Sequence, residues 1–148
     1  MALFTEKQIQ NNQLAQINLK ELAKGESVTF YAGSIADRNS VEYGDFKVVE
    51  GLNLDANASS IDALVDSASG AAFIPNTMLL NMIEEGKLAA GNLYRIEKAW
   101  DRDEKFSNGK KAKGFGYNVF ELGADQDTKV RLRDAFMEAK SGNKTEEL

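Results

Sequence analysis

The chain has 148 residues, 18 of them basic and 23 acidic, for a net charge of -5, with hydrophobic and charged fractions of 43% and 28%; it is long enough to bury a real core as one domain. It contains no cysteine and no histidine, which excludes disulfides, zinc–thiolate sites, cysteine nucleophiles and every catalytic arrangement built on imidazole. An enzyme would have to work with carboxylates, lysines, tyrosines or a hard cation, so a noncatalytic protein without cofactor or metal is expected.

No run approaches the roughly 18 apolar residues of a membrane span, and Met1-Ala2-Leu3-Phe4-Thr5 lacks the basic and apolar regions of a signal peptide. The expected setting is the cytoplasm, of a bacterial host cell, with no membrane partner. The sequons at Asn57 and Asn143 are then chance matches. A pI near 4.9 argues against a nonspecific coat for duplex DNA but leaves room for a local basic face.

Residues 1–24 read as an N-terminal arm or short helix, with Thr5 and Gln8 spaced as a capping box and Leu14, Ile17 and Leu22 as a narrow apolar edge. Val28, Phe30 and Ala32 alternate with Thr29, Tyr31 and Gly33 as a half-buried strand does. Asp37-Arg38-Asn39-Ser40 is turn chemistry. A second strand is expected from Tyr43 to about Leu54, with Phe46, Val48, Leu52 and Leu54 on one face. Ser60 is a candidate N-cap for a short helix bearing Ile61, Leu64, Val65 and Ala68. Ala71 to Ile74 is a third short strand stopped by Pro75, and Asn76 caps a helix holding Leu79, Leu80 and Ile83.

Two strands follow, Leu93 to Trp100 and Phe115 to Leu122, joined by a charged tip from Asp101 to Lys113. A last helix begins at Asp125 or Asp127, where acids suit the positive end of the dipole, and buries Leu132, Ala135, Phe136 and Ala139. Residues 141–148 read as a disordered acidic tail. The order predicts an α+β, mainly β fold over residues 25–140: a five-stranded, OB-like, partly open barrel with additional helices, including one at the C-terminus.

Function is most legible between Arg95 and Tyr117. Seven cations (Arg95, Lys98, Arg102, Lys105, Lys110, Lys111, Lys113) stand against four acids (Glu97, Asp101, Asp103, Glu104), interleaved with Trp100, Phe106, Phe115 and Tyr117. Cations beside flat π surfaces suit a single-stranded nucleic acid, whose phosphates need neutralising and whose exposed bases stack. With Tyr31 and Lys47 added, these residues are the expected nucleic-acid site, reading little sequence because stacking and phosphate contacts touch no base edges. Ser107-Asn108-Gly109 is a hairpin turn, either a mobile basic finger that tracks phosphates or a solvated tip. Gly114 and Gly116 either let a base approach bare backbone or mark a barrel bend. Each aromatic is either a stacking platform or core, and Tyr117 is the one expected to be most exposed.

Other chemistry is poorly supported. Asp101-Arg102-Asp103-Glu104 lacks the third acid and the glycine of a calcium loop, and neither a phosphate-loop nor a dinucleotide glycine spacing occurs. Asp125 and Asp127 fit helix-start acids better than paired catalytic carboxylates.

The succession in Phe73 to Leu122 of a helix ending in glycine, Leu93-Tyr94-Arg95-Ile96-Glu97, a lysine-rich Asn-Gly hairpin and Gly116-Tyr117-Asn118-Val119-Phe120 resembles small phage and prophage OB-fold proteins that bind single-stranded DNA. The resemblance covers about a third of the chain. It implies a role in replication, recombination or repair, with single-stranded DNA preferred to RNA as partner. The stretch from Asp37 to Asp66, with seven acids against Arg38 and Lys47, departs from that pattern. It offers an alternative: a phage protein-interaction module, an inhibitor of a host enzyme or an assembly adaptor, using its acidic face. A replication or host protein held by that surface or by the tail, and a second copy of the chain, are the other expected partners.

Overall fold

The computed structural model describes residues 14–141. The expectations for the capping box at Thr5 and for the tail beyond Ser141 lie outside those residues. In chain order the elements are β1 (Ala15–Gln16), a 3-10 turn (Leu19–Glu21), β2 (Ser27–Ser40), β3 (Gly44–Leu54), α1 (Ile61–Ser67), β4 (Ser69–Phe73), α2 (Thr77–Glu84), β5 (Leu93–Trp100), β6 (Gly116–Leu122) and α3 (Gln126–Lys140). The six strands form one open sheet in the order β1-β4-β3-β2-β5-β6, in which only the two-residue β1 pairs in parallel. Mainly β with three helices, one of them C-terminal, is the expected class. The sheet has six strands where five were predicted, because β1 adds to the edge of β4.

The first segment packs as extended chain. Ile17 and Leu22 sit against one core and Leu14 against the other, while the backbone N–H of Ile17 donates to the Ala72 carbonyl at 2.7 Å. The turn predicted at Asp37–Ser40 is strand. Its polar side chains find partners across the ladder: Lys47 Nζ donates to Asp37 Oδ1 at 2.7 Å and Asn39 Nδ2 to Asp45 Oδ1 at 2.6 Å. Opposite-charge and hydrogen-bonding pairs stabilise an antiparallel pair, so turn-forming residues here prolong it. The reversal moves to Val41–Tyr43, where the Tyr43 N–H donates to Ser40 Oγ at 2.8 Å.

Alternation along β2 loads both faces of the sheet. Phe30 and Ala32 enter one core with Val49, Phe73, Leu79, Leu88, Tyr94, Ile96 and Tyr117. Tyr31 enters a second core with Leu52, Leu54, Leu93, Leu132 and Phe136, beneath α3 and α1. Burying a side chain such as Leu132 or Phe136 contributes about 1.5–3 kcal/mol, and α3 presents both to β2, β3 and β4. The caps match their sequence signals: Ser60 Oγ accepts from Ala63 N, Asn76 Oδ1 from Leu79 N and Asp125 Oδ1 from Thr128 N, at 3.0, 3.0 and 2.8 Å. The last turn of α3 is tied down by Glu50, a buried carboxylate that accepts from Ser34 Oγ, Arg38 and Lys140 Nζ.

Candidate nucleic-acid interface

β5 and β6 continue past Trp100 and Gly116 into a hydrogen-bonded finger. The Asp103 N–H donates to the Ala112 carbonyl, the Ala112 N–H to Glu104 and the Phe106 N–H to Lys110, at 3.0, 2.9 and 2.8 Å. At the tip the Gly109 N–H donates to the Phe106 carbonyl, and Gly109 has φ +85° while Asn108 stays outside the left-handed region. Glycine therefore serves as the left-handed residue that ends the turn.

The root is pinned by packing. The Trp100 ring lies on Gly116 so closely that a Cβ there would sit 2.0 Å from it, Trp100 Nε1 donates to the Gly114 carbonyl at 3.1 Å, and the Phe106 ring meets Trp100 edge-on at 5.5 Å. Gly116 is thus filled by a ring of the chain itself, whereas Gly114 remains open. Lys24 reaches Glu104 at 2.6 Å. This ion pair holds Glu104 below the usual carboxylate range, chiefly through the Lys24 hydrogen bond.

The finger's lysines are arranged differently. Lys105, Lys110, Lys111 and Lys113 are exposed, and among the described residues none has a carboxylate within ion-pair distance. Lys105 and Lys111 are direct cross-strand partners, a like-charge pairing that destabilises a hairpin and that a bound anion would relieve. Arg102 is likewise without a carboxylate partner and lies over the Phe115 ring at 5.3 Å.

A cleft of about 800 Å³ runs between the finger and the first turn of α2, lined by Trp100, Arg102, Phe106, Lys110, Lys113 and Phe115 among others. A second cleft, of about 600 Å³, adjoins it and shares Asn76, Arg102 and Phe115. It extends past Lys20 and Ile74 to Phe46 and Tyr43 at the β2–β3 tip. Tyr43 is 74% exposed, the most exposed aromatic among the described residues. Asn76 sets the junction: its Oδ1 caps α2 while its Nδ2 donates to the Phe115 carbonyl at 2.9 Å. Together the clefts form a groove from the finger to the opposite hairpin, with most of its cations on the finger half and rings along both.

Of the residues expected from sequence, Trp100, Arg102, Phe106, Lys110, Lys111, Lys113 and Phe115 line this groove and Lys105 stands beside it on the finger. Of the other five, Tyr117 borders the second cleft from the core and four lie elsewhere. Tyr31, 2% exposed, is core beneath α3. Tyr117, expected to be exposed, is 3% exposed and belongs to the main core, where burial, then the Asp101 charge, push its hydroxyl up to about 12. Lys98 has a fully buried side chain, and its Nζ donates to the carbonyls of Lys20 and Leu22 and to Asp101 Oδ1 at 2.8–2.9 Å. Lys47 lies on the face of β3 opposite Phe46, held by Asp37, whose hydrogen bond raises its pKa. Arg95 pairs with Glu97 at 3.3 Å, stacks on Phe120 at 4.2 Å and lines a separate depression with Leu54, Ile61 and Leu93.

Sequence reading missed Tyr43, Phe46, Lys20 and Asn76 as groove residues. Tyr43, directly before Gly44 and beside an exposed Val41, carried a readable signal, since an aromatic in a turn has no core to enter. Phe46 carried none: its alternation with Val48 and Leu52 reads as core. No protein-family model, no curated protein and no solved structure matches this chain.

Proposed function

We propose that the protein is a noncatalytic binder of single-stranded nucleic acid, DNA in preference to RNA, acting in replication, recombination or repair, and that it is built on an OB-type frame. The observation that carries this reading is the clustering of Arg102, Lys110, Lys111 and Lys113, with Lys105 beside them, at the groove that also holds Trp100, Phe106, Phe115 and Tyr43; among the described residues none of these cations has a carboxylate partner. Cations alone would suit any polyanion. Rings in a concave basic groove suit bases that are free to leave a stack, which a duplex does not offer.

The frame supports the same reading. β2 to β6 are five strands with a helix between the third and fourth, and the gap between β4 and β6 is bridged by Asn76 and Met78 of the α2 start. The groove lies between the loop after the first of these strands and the loop after the fourth, the two loops OB folds use for oligonucleotides. The preference for DNA and the cellular role rest on the likeness of Phe73 to Leu122 to phage proteins of that kind.

Fluorescence anisotropy of a labelled dT oligomer, titrated at several salt concentrations with duplex and RNA competitors, tests the proposal. Binding should weaken linearly in log affinity against log salt as released counterions are replaced. A preference for duplex, or no binding at low salt, refutes it and turns attention to a protein partner for the acidic stretch of β2, β3 and α1.

A further inference from the structure

We infer that a base of the bound strand stacks on Arg102, whose guanidinium lies between that base and the Phe115 ring. The inference rests on the single-strand reading above and gives Arg102 a task the finger's lysines do not share. Arg102, Asn76 and Phe115 are the three residues that line both clefts, so Arg102 stands where they join. Its backbone is held on both sides. The Glu104 N–H donates to the Asp101 carbonyl at 3.1 Å, Glu104 Oε1 accepts from the Asp101 N–H at 3.2 Å, and the Asp103 N–H donates to the Ala112 carbonyl at 3.0 Å. Within this turn Asp103 has φ +65°, the one non-glycine residue in the left-handed region among those described. Such strain persists only where the surroundings enforce it, and it clusters at ligand sites. The side chain that the turn presents is unused: Arg102 is exposed, and among the described residues it has no carboxylate partner and donates no hydrogen bond. Its Cζ lies 5.3 Å from the Phe115 ring centroid.

The larger rings in this half of the groove are engaged inside the fold. Trp100 lies against Gly116, where a Cβ would come within 2.0 Å of the ring, and forms an edge-on pair with Phe106. Phe115 carries a second cation, the buried Lys98 ammonium 4.7 Å from its centroid, and its carbonyl is held by Asn76 Nδ2. The guanidinium over Phe115 extends that ring's π surface outward. A guanidinium is planar, delocalised and weakly hydrated, so it lies on an aromatic ring with one face and takes a base on the other. Its in-plane N–H groups stay free for a flanking phosphate. A lysine ammonium is a compact, strongly hydrated charge with no plane to offer. Lys105, Lys110, Lys111 and Lys113 therefore neutralise phosphates, whereas Arg102 also holds a base, and Phe115 is its positioning residue.

The test compares an all-dT oligomer with an abasic oligomer of the same length, which keeps the phosphates and removes every base. The wild-type chain should bind dT more tightly. Arg102→Lys, which keeps the charge and loses the plane, should lower the dT-to-abasic affinity ratio roughly 3- to 30-fold, the range of one cation–π or base-stacking contact, with the salt slope kept. Phe115→Leu, which withdraws the support, should lower the same ratio, and adding it to Arg102→Lys should lower it little further, since the two act as one unit. Melting curves fix a temperature at which each variant is folded, and Arg102→Lys alone decides the matter if Phe115→Leu does not fold. Equal weakening of both oligomers by Arg102→Lys makes Arg102 a phosphate contact and overturns the inference, as does an unchanged ratio or equal binding of the two oligomers by the wild type. Failure of the wild type to bind dT at low salt, or a preference for duplex, instead overturns the single-strand reading on which it depends.

Discussion

The root and the tip of the β5–β6 hairpin use the same residue type in opposite ways. Lys98 at the root is buried and donates three hydrogen bonds at 2.8–2.9 Å, two of them to the backbone of the N-terminal segment. Lys110, Lys111 and Lys113 at the tip are exposed and have no carboxylate partner among the described residues. A buried ammonium must be fully paired because its desolvation is costly. An exposed cation costs little to leave unpaired, and its charge stays available to a ligand. Root charges hold the fold, and tip charges stay exposed to solvent.

Substitutions can break this comparison, beginning with the aromatic neighbour of Lys98. Tyr117→Ala should leave a cavity in the main core and lower stability by about 3–5 kcal/mol, read by urea denaturation. A melting temperature near that of the wild type would mean that Tyr117 is not a core residue. Lys98→Met should cost about 2–3 kcal/mol, because the carbonyls of Lys20 and Leu22 lose a charged donor; unchanged stability would place Lys98 with the tip lysines.

At the groove, Tyr43→Ala should weaken oligonucleotide binding by about 1–3 kcal/mol, the size of one base–aromatic contact. Its melting temperature should stay put, as the ring is 74% exposed. Loss of stability with unchanged affinity would remove Tyr43 from the interface. Replacing Lys110, Lys111 and Lys113 together with Ala should flatten the salt slope by up to roughly 2 to 3 units and shift stability by no more than about 0.5 kcal/mol. An unchanged slope would make the finger a solvated turn.

The gentlest probe is pH. The Tyr117 hydroxyl, raised by burial to about 12 from 10.0, keeps its proton more tightly when folded than when unfolded. Its contribution to stability is therefore complete below pH 10 and is lost as pH rises from 10 towards 12. Tyr31, also raised chiefly by burial, acts in the same direction. Glu50 acts at the other end. Burial pushes it up, but the Lys140 hydrogen bond and charge, Ser34 and Arg38 together hold it below its usual value. Its contribution is present above the ordinary carboxylate range and is lost as pH falls through its lowered folded value. Melting temperature measured from acid to alkali should fall at both ends, and Tyr117→Phe should blunt the alkaline fall.

Local chemistry determined much of this protein without tertiary information. The caps at Ser60, Asn76 and Asp125, strand β5 from Leu93 to Trp100 and the buried stripe of α3 were legible because each depends on neighbours within a few residues. So was the gathering of cations and rings between Trp100 and Phe115, since a hairpin keeps sequence neighbours close in space. What only tertiary structure decided was direction. Period-2 alternation separates Tyr31 from Phe30 and Phe46 from Lys47 but does not say what covers either face. Here α3 lies over one face and α2 fills the other, so both Tyr31 and Tyr117 are core. Lys98 became structural only because the Lys20 and Leu22 carbonyls, distant in sequence, converge on it. Tyr43 became part of the groove only because the β2–β3 tip reaches the cleft beside Phe115. Such convergence depends on which long-range contacts the whole sheet makes, and no window of the sequence contains it.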